Sequence, residues 1–280
     1  MRGDLLGFLE CPHCRGVLRL DGDTVRCGNR HAFDVARQGH VSLLTGAAVP
    51  TGDTASMVAA RSTFLGAGHY DPIVQAVCAA AEPALARQRE GCVVDVGAGT
   101  GHHLAAVLDR VPQRRGIALD SSKYAARRAA RAHPRLGAVV CDVWRRLPVR
   151  TGAAALVLDV FAPRNAAEIR RVLRPAGALV VVTPTSRHLT ELVGAIGLLS
   201  VDERKQQRLD EQLGPPARTA DCEYRMALPH GAVEALAAMG PAAWHTTPEA
   251  LRERVRALPD PVTVTASVTV SAYLPTRPCP

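Results

Sequence analysis

The sequence predicts an α/β protein in two parts, a small metal-folded module followed by a mostly parallel, doubly wound sheet. Two observations carry that reading. Cys11, Cys14, Cys27 and His31 fall within the first 31 residues at the spacing C-x2-C-x12-C-x3-H. From residue 91 onward, short β-branched runs alternate with helical stretches rich in Ala, Arg and Leu. Strands apolar on both faces and separated by helices imply a parallel sheet covered on each side. A chain of 280 residues can hold one large domain or a large and a small one.

The metal-ligand spacing governs the first element. Zinc prefers four tetrahedral nitrogen or sulfur ligands, and two ligand pairs joined by a hairpin supply them. Cys11-Pro12-His13-Cys14 reads as the first knuckle, with His13 pointing outward, and Gly28-Asn29 suits a tight turn after Cys27. Val17 to Val25 reads as a hairpin turning at Asp21-Gly22-Asp23, followed by a second apolar piece, Ala32-Phe33-Asp34-Val35. A closed four-ligand site leaves no position for water or substrate, so this one Zn2+ is structural. The module is expected over residues 1–44. Residues 45–54, rich in Gly, Pro, Thr and Ala, read as a linker. With helices near Thr54–Leu65 and Pro72–Ala86, they form a connecting region, 45–90.

The larger domain, 91–280, is read from its strands. Five runs at 93–96, 116–120, 138–142, 155–158 and 179–183 alternate with helices at 100–108, 121–132 and 166–173. Arg174-Pro175-Ala176-Gly177 reads as a helix stop before the fifth strand. Val262 to Val270 instead alternates with period two, the mark of an edge or antiparallel strand, and Cys222–Leu228 suits its partner. The expected sheet has seven strands, mostly parallel, with an antiparallel C-terminal strand.

Charge and cysteine usage narrow the setting. The formal net charge of +8 comes almost wholly from arginine, and residues 101–175 hold fifteen Arg/Lys against five Asp/Glu. Such a segment is either a set of solvated helix faces or a surface that meets phosphates. Three of the eight cysteines belong to the zinc spacing and the rest are scattered, which does not suggest a disulfide framework. No signal-peptide pattern or membrane-length apolar stretch occurs, so a cytoplasmic protein with no membrane partner is expected.

The chemistry starts at Asp95-Val96-Gly97-Ala98-Gly99-Thr100-Gly101, after a buried strand and before a helix. Glycines there let the backbone approach a ligand at the helix start. Even spacing by two departs from the dinucleotide pattern G-x-G-x-x-G. With its preceding acid, it resembles motif I of the S-adenosylmethionine-dependent methyltransferases. That resemblance implies a Rossmann-like class I fold. Asp120 closes the second strand, where a carboxylate can accept both ribose hydroxyls, and Asp142 closes the third, where an acid commonly meets the adenine amine. One strand-terminal Asp is most often a cap, but three in register point to a cofactor. The fourth strand runs into Asp159-Val160-Phe161-Ala162-Pro163-Arg164-Asn165, where the acceptor lies in this fold. The loop lacks Asn/Asp-Pro-Pro-aromatic and a Pro-Cys nucleophile, and Cys141 belongs to a buried strand.

Ribbon and loop together make the resemblance specific. Cys11-Pro12-His13-Cys14, Phe33 to Val41, Gly68-His69-Tyr70, Gly101-His102-His103-Leu104, Phe161 to Asn165, Thr183-Pro184 and His188-Leu189 resemble the 23S rRNA guanine-N1 methyltransferases of the RlmA type. The branch indicated is the one known for tylosin and mycinamicin resistance. The resemblance spans nearly the whole chain, thinning between about 205 and 235. It implies that Cys11, Cys14, Cys27 and His31 hold zinc, and that Tyr70, Gly101, His102, His103 and His188 contact S-adenosylmethionine. It further implies a guanine in hairpin 35 of 23S rRNA as substrate, and a homodimer framing an RNA-sized cleft.

Guanine N1 carries a proton, so a general base within reach would help methyl transfer. Asp159 is the carboxylate best placed by position, with His102, His103 and His188 as alternatives. The base must also leave its stack, and Phe161 or Trp144 suits bracing it. Arg15, Arg19, Arg26, Arg30 and Arg37 on or beside the ribbon suit phosphates, although five acids against these and Arg2 leave the net charge of residues 1–44 near +1. Two rivals are a small-molecule methyltransferase with an accessory zinc module and a non-catalytic RNA-binding zinc protein. The intact Asp95, Gly97, Gly99, Gly101 and Asp120 oppose the second.

Overall fold

The computed structural model describes residues 1–46, 52–88, 90–198, 211, 213–240 and 246–274. Residues 47–51 of the expected linker and Cys279 lie outside the described residues. A short 3-10 helix, Gly3–Phe8, buries Leu5 and Leu6. Strands β1 (Leu18–Asp21) and β2 (Thr24–Cys27) then form the expected hairpin, with Asp21 opposite Thr24. Gly22 takes the left-handed turn position at φ +58°. β3 (Ala32–Asp34) pairs antiparallel with β2.

The large sheet contains β4 (Val41–Ser42), β5 (Cys92–Val96), β6 (Gly116–Asp120), β7 (Leu136–Val140), β8 (Ala154–Val160), β9 (Leu173–Pro184), β10 (Arg218–Leu228) and β11 (Val262–Tyr273). Their order is β10-β11-β9-β8-β5-β6-β7-β4. The sheet thus has eight strands among the described residues rather than seven. The extra one, β4, is a two-residue parallel addition to β7, too short to carry a hydrophobic period. β11 runs antiparallel between β9 and β10, which leaves the largely exposed β10 at the edge.

Helix starts follow their caps. Thr54 caps α1 (Ala55–Gly66), accepting from Met57 N at 3.3 Å, and Pro72 lies in the first turn of α2 (Asp71–Ala86). Gly101 precedes α3 (His102–Arg110), and Ser122 caps α4 (Lys123–Ala129). Asn165 caps α5 (Ala166–Val172). The expected stop at Arg174–Gly177 is instead the irregular beginning of β9, where the register with β8 shifts between Ala154 and Leu156. A Cβ on Gly177 would stand 3.0 Å from the Ala154 carbonyl, so glycine permits that close entry. The remaining described helices are α6 (Thr190–Ile196), α7 (His230–Ala238) and α8 (Pro248–Arg256).

Successive strand residues face two different cores. Val93, Leu156 and Val180 point towards α2 and α3, packing with Ile73, Val77 and Leu104. Val94, Val157 and Val181 point the other way, onto Leu5, Leu9, Cys11, Leu18 and Val25. The zinc-ligand module is therefore mounted directly on one sheet face. Each such aliphatic side chain contributes on the order of 1.5–3 kcal/mol when fully buried. Glu10 adds a polar tie, accepting from Arg146 at 2.9 Å.

Candidate active site and metal centre

The ligand atoms of Cys11, Cys14, Cys27 and His31 all lie within 4.8 Å of one another. Individual separations are 3.5 Å from Cys11 Sγ to His31 Nδ1, 3.6 Å between Cys14 and Cys27 Sγ, and 3.3 Å from Cys27 Sγ to His31 Nδ1. Bonds of about 2.0–2.3 Å in a tetrahedron require edges of roughly 3.3–3.8 Å, so this donor set fits Zn2+. The backbone builds the cage, with Arg15 N donating to Cys11 O and Cys27 N to His31 O. His13 stays outside it, exposed and stacked on Phe33 at 5.9 Å.

At the C-terminal ends of β5 and β6, the glycine-rich turn opens onto a cavity of about 250 Å³. Gly97, Gly99 and Gly101 all have positive φ, at +70°, +54° and +76°, a region in which side chains are strained. A Cβ on Gly97 would come within 2.6 Å of the Ala162 Cβ. Glycine there lets the glycine-rich turn and the 161–165 loop touch. Asp120 locks the turn, because its Oδ2 accepts from Gly99 N and its Oδ1 from Ser122 N, both at 2.8 Å.

Tyr70, Asp95, Gly97, Gly99, His102, His103 and Asp120 line this cavity. Burial, then the neighbouring Asp159 and Asp120 charges, pushes the Asp95 carboxyl well above its ordinary value. Burial also raises Asp120, against the opposing backbone donors. Desolvation depresses His102 and takes His103 down to about 3. Both rings are therefore neutral at physiological pH. The His103 Nδ1 is buried with no hydrogen-bond partner among the described residues. Three aspartates, one arginine and a glycine cradle suit a ligand that carries net positive charge, one carboxylate and ribose hydroxyls, as S-adenosylmethionine does.

Other expected site residues lie around the cavity rather than on its wall. His188, between β9 and α6, reaches Tyr70 Oη through Nε2 at 3.3 Å, and its Nδ1 accepts from Ser267 N at 3.1 Å. Its ring lies 5.8 Å from that of Phe161, which does line the cavity. Asp142 sits at the rim next to Val143, accepting from Trp144 N at 3.0 Å and pairing with Arg145 at 3.3 Å. Gly101 supports the turn against Ala129. Asp159 is fully buried in β8 and paired with Arg164 at 3.0 Å, so its carboxylate is held behind the cavity wall.

Sequence reasoning missed Arg61 and Asp53. Arg61 is the one charged residue of α1, which was the available signal. It is ion-paired with Asp53, donates to Met239 O at 2.7 Å, and lies against Gly99 on the cavity wall.

Comparison with known proteins agrees with this geometry. The RlmA amino-terminal zinc-ribbon family matches residues 9–46, and a methyltransferase-domain family matches residues 93–177. A 23S rRNA (guanine(748)-N(1))-methyltransferase of Streptomyces fradiae is 49% identical, over 98% of this chain and 99% of its own. A candidate 23S rRNA (guanine-N(1)-)-methyltransferase of Micromonospora griseorubida is 52% identical, over 98% and 100% respectively. A further candidate of that activity from Bacillus subtilis strain 168 is 32% identical over 66% of this chain. A zinc ribbon mounted on an S-adenosylmethionine-dependent methyltransferase sheet, matched from end to end, places the chain in the family of RlmA-type 23S rRNA (guanine-N1)-methyltransferases.

Proposed function

We propose that the protein methylates N1 of a guanine in hairpin 35 of 23S rRNA, in the position named guanine 748 for the Streptomyces fradiae relative. The modification would protect the ribosome from macrolides of the tylosin and mycinamicin type, in the cytoplasm, with the enzyme acting as a homodimer. The observation that supports this most is likeness across both ribbon and catalytic domain to proteins named for that reaction.

S-adenosylmethionine supplies an electrophilic methyl group, and the chain's task is to hold donor and acceptor in line. Asp120 keeps lone pairs free for the ribose hydroxyls, and Asp142 at the rim takes the adenine amine. Arg61, above Gly99, meets the amino-acid carboxylate. Gly97, Gly99 and Gly101 admit the ligand against the backbone, while Tyr70 offers its hydroxyl from the wall. Phe161, held at φ +55° and 41% exposed, presents a ring at the cavity mouth on which a flipped guanine can stack. Trp144, 64% exposed and tied to the 161–165 loop through Asn165 Nδ2 donating to Trp144 O at 2.9 Å, braces a neighbouring base. Asp159 acts through Arg164, holding the 161–165 loop in place. The ribbon arginines, such as Arg15, Arg19 and Arg30, contact the RNA hairpin.

The test is transfer of radiolabelled methyl from S-adenosylmethionine to a domain II transcript, followed by mapping of the modified base. Label at guanine N1 within the hairpin is expected. Label in no RNA overturns the proposal.

A further inference from the structure

The fifteen cations between residues 101 and 175 are not distributed as one basic face. Most are engaged within the protein. Arg110 pairs with Glu82, Arg115 with Asp4, Arg145 with Asp142, Arg146 with Glu10, Arg164 with Asp159, Arg171 with Glu168 and Arg174 with Glu90. Arg114 and Arg135 donate to backbone carbonyls. Arg127, Arg128 and Arg131, in α4 and the turn after it, make no side-chain hydrogen bond or ion pair among the described residues.

Arg128 and Arg131 line a second cavity, of about 360 Å³, between α1, the start of α3 and the end of α4. No carboxylate lines it among the described residues, whereas three aspartates line the cofactor cavity. Its inner wall includes Thr100 and His102, which also line the cofactor cavity. Two guanidinium groups three residues apart repel one another, and among the described residues no acid pairs with either. An anion with several oxygens would offset that repulsion, because each guanidinium presents a planar fork of donors to it. The first turn of α3 adds its positive end to the same space.

We propose that this cavity is a phosphate site that takes one backbone phosphodiester of the RNA substrate. Arg128 and Arg131 thereby dock the RNA against the Thr100–His102 turn that cradles the cofactor. The inference rests on the RNA reading given above. Inorganic phosphate offers the same chemistry without the chain connectivity, so the experiment must separate the two sources.

Binding of a hairpin 35 transcript is measured by fluorescence anisotropy over a KCl series, with S-adenosylhomocysteine present and inorganic phosphate as competitor. Relative to the wild type, the R128A/R131A variant is expected to bind about 10-fold more weakly, with a salt slope shallower by about one, as loss of one phosphate contact requires. R128K/R131K should retain most of that slope, and the S-adenosylmethionine affinity of both variants should match the wild type. Unchanged RNA affinity and slope in R128A/R131A overturn the proposal. So does an equal loss of cofactor affinity, which would make these arginines supports of the turn. Phosphate that occupies the site without displacing RNA also overturns it, as a free-anion site. Failure of the wild type to bind the transcript would instead overturn the RNA reading itself.

Discussion

The Tyr70 hydroxyl and the His188 ring meet at 3.3 Å, joining the turn before α2 to the loop after β9 across 118 residues of sequence. Ser267 N donates to His188 Nδ1, which leaves the proton of a neutral ring on Nε2. His188 therefore donates to Tyr70 Oη, and the phenolic hydrogen is left for a group in the cavity. Tyr70→Phe keeps the aromatic wall and removes only that donor. One hydrogen bond is worth about 0.5–1.5 kcal/mol net, so the Kd for S-adenosylmethionine should rise about 2- to 12-fold by titration calorimetry. An unchanged Kd would mean that the hydroxyl has no partner in the ligand.

The same ring makes the fold acid-sensitive. Burial lowers His188 to about 4, against the ordinary value near 6.5. Below pH 6.5 the unfolded chain takes up a proton that the folded ring refuses until about pH 4. The unfolded state then binds more protons, and stability falls as pH drops through that window. At about 1.36 kcal/mol per pH unit, the loss attributable to this site is on the order of 3 kcal/mol. His188→Gln should flatten the denaturation midpoint between pH 6.5 and 4. An equally steep profile would assign the acid sensitivity to other groups.

Gly97 is the contact point between the glycine-rich turn and the 161–165 loop. Gly97→Ala adds a methyl within 2.6 Å of Ala162 Cβ at a φ of +70°, so the loop must move. Displacement of about 1 Å can cost roughly 100-fold in rate, and strain with overpacking adds about 1–3 kcal/mol of destabilisation. Single-turnover methyl transfer and thermal denaturation would read both effects. Gly194→Ala, inside α6 with nothing within 4 Å of the added methyl, should leave the rate unchanged and raise stability by about 0.5–1 kcal/mol.

Much of this site was legible because its signals are local. Four ligands, a glycine-rich turn and strand-terminal acids each occupy a few adjacent residues, and apolar runs exposed the parallel strands. What escaped depends on distant pairing. β4 is two residues long and acquires its strand character only from β7. Arg61 gains meaning only when α1 folds over Gly99. Position in sequence points to Asp159 as a base, whereas its burial in β8 and its Arg164 partner are tertiary facts that no local pattern carries.

That ion pair separates two roles for Asp159. Asp159→Asn leaves the Arg164 guanidinium, only 12% exposed, without its counter-charge, which costs about 3–5 kcal/mol for a buried pair. If Asp159 holds the loop, the kcat of the variant should fall while the shape of its pH–rate profile persists. Asp159→Asn combined with Arg164→Met should then recover stability. Loss of the acid limb in Asp159→Asn would instead make the carboxylate the proton acceptor.

Metal removal should divide the molecule along its sheet. Cys11 and Cys27 belong to the core on one face, with Leu5, Leu9 and Val94, whereas Leu65, Tyr70 and Leu104 belong to the core on the other. Structural zinc is folding free energy for the segment that binds it, so chelation should loosen the ribbon and the face beneath it. The cavity over the glycine-rich turn draws its wall from the opposite face and from the strand ends. After dialysis against a chelator, the melting temperature should fall and RNA methylation should be lost, while S-adenosylmethionine affinity changes less than about 2-fold. Restoring Zn2+ should restore methylation. Survival of RNA methylation in the zinc-free protein would reduce the four ligands to a local staple with no part in substrate capture.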